Sequence, residues 1–395
     1  MDILQSLPLD REDPFEPPAE LARLHGPLHR MIYADGRPGW LVTGHAEARA
    51  VLDDPRFSNT SQGAAPPIKE LAPPEGLADL VIPPGFFIAM DDPEHSRYRR
   101  LLTGRFSMRR MRLLEPRIQE IVDGRLDEMA AAGAPADLVG AFALPIPSLV
   151  ICELLGVPYD ERVRFQDTTA RAVNLDNSAA ERGAAGAELM GYLSELVTRK
   201  RAEPTQDLLG ELVSGGELNH EELTGVATLL LTAGHETTAN MLALGAFLLL
   251  SRPEQAELVR TDPGVAATAV EELMRYLSIV HIGPIRVARA DVPLAGQTIR
   301  AGETVTLSLP AVNRDPARFP DPHRFDVTRE AGPQLGFGHG IHQCLGQQLA
   351  RLEMRLAFPA LLRRFPGLRL AVPAEEVPLR PRATIYGLAS LPVTW

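Results

Sequence analysis

The chain of 395 residues is 45% hydrophobic and 23% charged, an ordinary globular composition with material for a large core. Its formal net charge of −11 argues against non-specific nucleic-acid binding, where lysine and arginine outweigh the acids. The two cysteines, Cys152 and Cys344, lie far apart without C-x-x-C spacing, which argues against a disulfide framework and for a reducing, cytoplasmic setting.

Along the chain, MDILQSLPLDREDPFEPPAE has neither the charged nor the apolar region of a signal peptide or anchor. In MIYADGRPGWLVTG two short apolar runs flank Asp35-Gly36, a hairpin signature. The proline-rich residues 64 to 85 read as a long irregular loop. Between Arg97 and Arg112 the run RYRRLLTGRFSMRRMR holds seven arginines and no acid, either a solvated helix face or a docking surface for an acidic partner. In LLEPRIQEIVDGRLDEMAAAG the residues Ile118, Ile121, Val122, Leu126 and Met129 follow helical spacing. Similar patterns recur from Asp160 to about Leu212 and from Val265 to Leu277, and GQTIRAGETVTLSL repeats the hairpin pattern near residue 300. The expected fold is mainly α (α+β), helical with small β-sheets, as one domain over residues 1–395.

The stretch from Gly225 to Leu250 exceeds the roughly 20 apolar residues of a membrane helix. Its centre, Gly234-His235-Glu236-Thr237-Thr238, would place a carboxylate in lipid, so a long core helix is expected and no membrane contact. A buried Glu-Thr pair needs a reason. In FGHGIHQCLG, residues 337 to 346, Gly338, Gly340 and Gly346 permit tight turning and close approach to a flat ligand, and Cys344 stands at the start of a helical stretch. A helix N-terminus lowers a cysteine pKa, and a soft thiolate suits iron. The residues alone also admit a buried structural cysteine, or zinc held by His339, His342 and Cys344.

FGHGIHQCLG resembles the cytochrome P450 pattern F-G-x-G-x-[HR]-x-C-x-G at every fixed position. AGHETT, residues 233 to 238, is similar to that family's distal-helix element A-G-x-[DE]-T-[TS], EELMR to its E-x-x-R element, and DDPEHSRYRR to its H-x-x-x-R element. The resemblance spans about residues 90 to 350. It implies a haem b (iron protoporphyrin IX) enzyme with Cys344 as the iron ligand, and with His95, Arg99, Arg286 and His342 toward the haem propionates. Glu236 is assigned proton supply and Thr237 hydrogen bonding to the oxygen being reduced, with Gly234 leaving room for oxygen where the helix opens locally. A threonine bonded merely to the carbonyl one turn back is the plain alternative for Thr237. Glu272, Arg275 and, in PDPHRFD, Arg324 are expected to form a structural lock.

The implied reaction is hydroxylation or epoxidation of a bulky apolar small molecule, a secondary metabolite or else a foreign compound. It would use O2 and electrons from a ferredoxin and its reductase, docking at the arginine run. The substrate would lie against residues 64 to 90 with Phe86 and Phe87, the region 160 to 195, Leu230 to Thr237, Ile279 to Ile285 and Thr384 to Leu388. A peroxide-driven or dehydrating relative and a non-enzymatic haem sensor are the other readings. Glu236 and Thr237 speak against the first, and the want of an output segment against the second.

Overall fold

The structure, a computed structural model, describes residues 3–60, 62–71, 82–173, 177–381 and 383–395. Helices dominate. In chain order they are α1 (Ala19–Ala22), α2 (His45–Asp53), α3 (Glu94–Thr103), α4 (Met108–Ala132), α5 (Pro145–Leu155), α6 (Arg162–Val173) and α7 (Ala179–Ala202). There follow α8 (Leu208–Gly215), α9 (His220–Leu250), α10 (Pro253–Thr261), α11 (Ala266–Leu277), α12 (Leu309–Val312) and α13 (Gln347–Arg364). The main apolar core gathers side chains from α4, α5, α7, α9, α11 and α13, among them Ile118, Leu126, Ile146, Leu193, Phe247 and Phe358.

The long apolar run forms α9, whose residues from Glu222 to Leu231 and from Thr238 to Leu249 are buried. Its hydrophobicity is spent on helices to every side, and no helix among the described residues is long and apolar enough to cross a membrane. Asn219 caps it, accepting from the Glu222 N–H while the Glu222 carboxylate takes the Asn219 N–H, a reciprocal cap that stabilises a helix start by about 1 kcal/mol. Glu222 also binds Arg97 and Tyr98 of α3, which ties the start of α9 to the arginine run. The 82–90 segment approaches α9 backbone to backbone. A Cβ at Gly225 would sit 1.8 Å from the Pro84 carbonyl oxygen, so only glycine allows this crossing.

The principal sheet has the order β1-β2-β8-β5-β3, with β1 (Leu28–Ile32), β2 (Pro38–Val42), β3 (Phe57–Ser58), β5 (Ile285–Ala288) and β8 (Thr304–Leu307). The hairpin at Asp35-Gly36 forms as expected, with Leu28 opposite Val42. The one expected near residue 300 does not. Gln297–Ile299 (β7) pairs with Val292–Leu294 (β6), whereas β8 joins β2 in parallel and β5 antiparallel. The turn chemistry at Gly302 is real, but long-range pairing with β2 decides where β8 goes. β4 (Ala136–Asp137), β9 (Arg369–Leu370) and β12 (Pro392–Thr394) make a three-stranded sheet, and β10 (Leu379–Arg380) and β11 (Gly387–Leu388) a hairpin.

Candidate active site

The loop from Phe337 to Gly346 is closed by the Cys344 N–H donating to the Phe337 carbonyl at 2.9 Å. Gly340 has φ +71°, and a Cβ there would lie 2.5 Å from the Leu52 carbonyl oxygen. Its missing side chain therefore seats the loop on α2. α13 begins only at Gln347, so Cys344 stands three residues before the helix rather than on it. Burial pushes its thiol pKa up, against the opposing pull of the Gly346 N–H, Arg99, Arg351 and the Gln347 N–H. The helix-end effect expected from the sequence is thus present but outweighed by desolvation. Cys344 keeps accessible surface, so the sulfur meets a cleft although protein surrounds it.

Four cationic or potentially cationic groups cluster at His342, two residues before this cysteine, with His95, Arg99 and Arg286 around it. The His95 and His342 rings stand 4.0 Å apart between centroids, and Arg99 acts electrostatically on both His342 and Cys344. Arg286, 5% exposed, donates only to the neighbouring Ile285 carbonyl at 2.9 Å among the described residues. Burial lowers the pKa of all four, His342 to about 3 and Arg286 to about 10. His95 Nδ1 lies 3.6 Å from Asp92 and has no hydrogen-bond partner among the described residues. Asp91, the acid that acts on Arg286 and His342, is committed elsewhere: it accepts from Ser58 at 2.5 Å, from the Asn59 N–H at 2.8 Å and from Arg289 at 3.4 Å.

Buried cations without acid partners are costly, and a ligand bearing two carboxylates answers that cost. A sulfur facing a cleft with such a cluster beside it fits iron protoporphyrin. Cys344 could hold its iron, and His95, Arg99, Arg286 and His342 its propionates. The zinc arrangement is not formed: His339 turns to Asp53 at 2.8 Å, and no cluster of three His, Cys, Asp or Glu poised for a metal occurs among the described residues.

Glu236 and Thr237 lie on a different element, α9. Ala233 is exposed there and Thr232, Gly234 and Thr237 half-buried, in a helix otherwise covered on this stretch. Thr237 Oγ1 donates to the Ala233 carbonyl at 2.7 Å, the bond of the plain alternative. That bond occupies the hydroxyl proton and leaves the oxygen lone pairs as acceptors. Glu236 is buried and bonded to Arg380 Nη2 at 3.1 Å. Burial raises its pKa, with Arg380 opposing. Two expectations are corrected here. A Cβ at Gly234 would meet Ile151 of α5 at 3.1 Å, so this glycine serves helix packing. The helix is also unbroken through residue 234.

Glu272 and Arg275 are fully buried and bidentate, at 2.7 and 2.8 Å. Arg324 does not join them. Its guanidinium is 71% exposed beside Asp326, and only its carbonyl reaches the pair, accepting from Arg275 at 3.4 Å. The third member is Arg329, whose Nε donates to Glu272 at 3.2 Å. Arg324 instead pairs with Asp326 at 3.4 Å at the surface, while Arg329 takes the place beside Glu272. Of the expected substrate-facing residues, Phe87 is packed in the core against Tyr98, 6.2 Å between ring centroids, while Phe86 is half-buried. Residues 72–81 and 174–176 of the expected lining lie outside the described residues. Sequence reasoning missed Arg329, Arg380 and the Ser58–Asp91–Arg289 cluster. Arg329, in DVTRE, lacks a local signal.

The family model described as Cytochrome P450 matches residues 265–391. Cytochrome P450 105C1 of a Streptomyces species is 50% identical over 98% of this chain and 97% of its own length. Pentalenic acid synthase of Streptomyces avermitilis is 47% identical over 99% of this chain and 97% of its own. The crystal structure of CYP105P1 in complex with filipin I superposes with a TM-score of 0.91 at 42% identity, covering 99% of each chain. With half its residues shared along nearly its whole length and the same fold, the chain belongs to the cytochrome P450 family and is a haem-dependent monooxygenase.

Proposed function

We propose that the protein hydroxylates or epoxidises a bulky apolar secondary metabolite, using O2 and electrons from a ferredoxin served by its reductase. The observation that carries this reading is one open patch, made by Thr232, Ala233, Gly234 and Thr237 on an otherwise buried apolar helix, with a buried carboxyl at Glu236 next to it. Half-buried Phe86, Val280, Ile285 and Ile385 supply apolar surface for such a ligand. A relative named pentalenic acid synthase and a related structure that holds filipin I support the substrate class.

The haem, held by Cys344 with its propionates at His95, Arg99, Arg286 and His342, supplies the activation of dioxygen. The chain's own residues orient the substrate, exclude water and deliver protons. Glu236, kept protonatable by burial, is the proton source. Thr237, its own proton committed to Ala233, accepts a hydrogen bond in the cleft and so fixes the direction of delivery. Of the seven arginines at 97 to 112, Arg97, Arg105 and Arg110 are consumed by Glu222 and Glu211, and Arg99 turns to Cys344. Arg100, Arg109 and Arg112 remain exposed, with Met108 and Leu113 beside them, as the surface for an acidic ferredoxin.

The test is substrate-dependent O2 consumption with a purified ferredoxin and reductase across a panel of terpenoid and macrolide substrates. Oxygenated product from at least one of them is expected. In the Arg109→Glu, Arg112→Glu double variant, reduction should slow and lose its salt dependence. Peroxide-driven turnover that ignores Glu236→Gln would instead favour the peroxide-using reading.

A further inference from the structure

Helix α9 separates two polar surfaces. Glu236, Ala239, Asn240 and Ala243 recur at three- and four-residue spacing and line a pocket together with Thr169 of α6 and Arg380 of β10. Thr237, one residue on and so roughly 100° around the helix axis, is not part of this lining and shares the open patch with Ala233. Glu236 accepts from Arg380 at 3.1 Å, and Asn240 Nδ2 donates to the Glu236 carbonyl at 2.9 Å. The Thr169 hydroxyl, buried on the same pocket, has no hydrogen-bond partner among the described residues. Buried hydroxyls without a protein partner are ordinarily satisfied by water. The Glu236 side chain is 11% exposed and that of Arg380 27%, so the guanidinium is the more solvent-exposed partner of the pair.

We propose that Arg380 is a positioning residue that holds the Glu236 carboxyl toward this pocket, and that the pocket is the path by which Glu236 regains its proton from solvent. The proposal rests on the reading of Glu236 as the proton source. The carboxyl releases a proton on the Thr237 side, then takes one from water in the pocket, which draws its own from bulk solvent. Each release and recharge of Glu236 moves one solvent proton inward, two for every substrate oxygenated and water formed, and Glu236 ends as it began. Arg380 stays protonated throughout, as an arginine does.

The surroundings suit that role. Burial raises the Glu236 pKa while the charge and hydrogen bond of Arg380 lower it, so the carboxyl is held between two opposing pulls. His235, the other titratable group on the lining, is driven to about 4 by burial and is neutral at pH 7. Thr169 of α6, Val139 and Leu144 before and at the start of α5, and Leu388 of β11 bring no charge. The hairpin that carries Arg380 also carries the half-buried Thr384 and Ile385 and packs against α9 through Gly387, where a Cβ would collide with the Asn240 oxygen. The arginine and the proposed substrate-facing loop therefore belong to one unit.

The experiment compares substrate-bound holoenzyme with Arg380→Met, Arg380→Lys and Glu236→Gln. Infrared titration follows the Glu236 carboxyl, assigned by its loss in Glu236→Gln, and turnover gives the solvent isotope effect and the share of electrons reaching product. In Arg380→Met the carboxyl should titrate at higher pH, the isotope effect should grow and the product share should fall by roughly tenfold, with substrate affinity unchanged. Arg380→Lys should restore most of each, and Arg380→Gln carries the same test should the methionine variant not fold. If Glu236→Gln uncouples turnover while Arg380→Met and Arg380→Gln titrate and couple as wild type, the role of Arg380 is wrong. If Glu236→Gln couples as wild type, the reading of Glu236 fails first and Arg380 falls with it.

Discussion

Two buried charged clusters in this protein are built oppositely. Around Glu272 and Arg275 every charge is answered: the carboxylate takes Arg275, Arg329 and the Asp326 N–H, and Arg275 also donates to the Asn313 and Pro322 carbonyls. Around His342 the polar groups are one-sided, with His95 and Arg286 buried and Arg99 half-buried beside it, and the nearby acid Asp91 engaged by Ser58, Asn59 and Arg289. A saturated network belongs to the fold. An unsaturated one marks where a ligand of opposite charge completes the structure.

The saturated cluster is the more sensitive of the two to a lost partner. Glu272→Ala leaves Arg275 buried and unpaired and should cost about 3–5 kcal/mol, visible as a collapse of the chemical-unfolding midpoint with or without haem. Removing Arg329 should cost about 1.5–3 kcal/mol by the loss of its charged hydrogen bond. Removing the exposed Arg324 should cost only about 0–1 kcal/mol. Equal losses for the two would contradict the assignment of Arg329 as third partner.

On the unsaturated side the sign reverses between forms. Arg286→Leu removes a buried cation and should leave the apoprotein as stable as wild type or more so, while haem is lost roughly ten- to a hundredfold more readily, measured by transfer to a haem acceptor. A smaller effect concerns the tie between α3 and α9. Arg97 and Tyr98 hold the Glu222 pKa down at about 2 against burial. The folded pKa lies below the ordinary value, so this contribution is complete above about pH 4.5 and fades as pH falls toward 2. Glu222→Gln should be less stable than wild type at neutral pH and should lose that part of the acid dependence in urea unfolding.

Much of this was legible beforehand because the chemistry is local. The glycine-spaced loop with Cys344, the Glu-Thr pair on a long apolar helix and the three-residue step from Glu272 to Arg275 each fix their geometry within one or two turns. Apart from two local ones, an opening of α9 at Gly234 and a helical start at Cys344, the misreadings are long-range. Whether β8 pairs with β7 or β2, whether Gly234 faces a cleft or Ile151, and whether Arg324 or Arg329 turns inward depend on elements far away in sequence. Arg380 could not be foreseen, since it meets Glu236 across 144 residues with only a short strand to mark it.

The most direct test is the carbon-monoxide difference spectrum of reduced wild type, Cys344→Ser and Arg286→Leu side by side, each scaled to protein. If Cys344 holds the iron and Arg286 a propionate, wild type shows a strongly red-shifted band, Cys344→Ser loses it, and Arg286→Leu keeps the same band at lower haem content. An unchanged band without Cys344, or full haem retention without Arg286, would contradict these assignments.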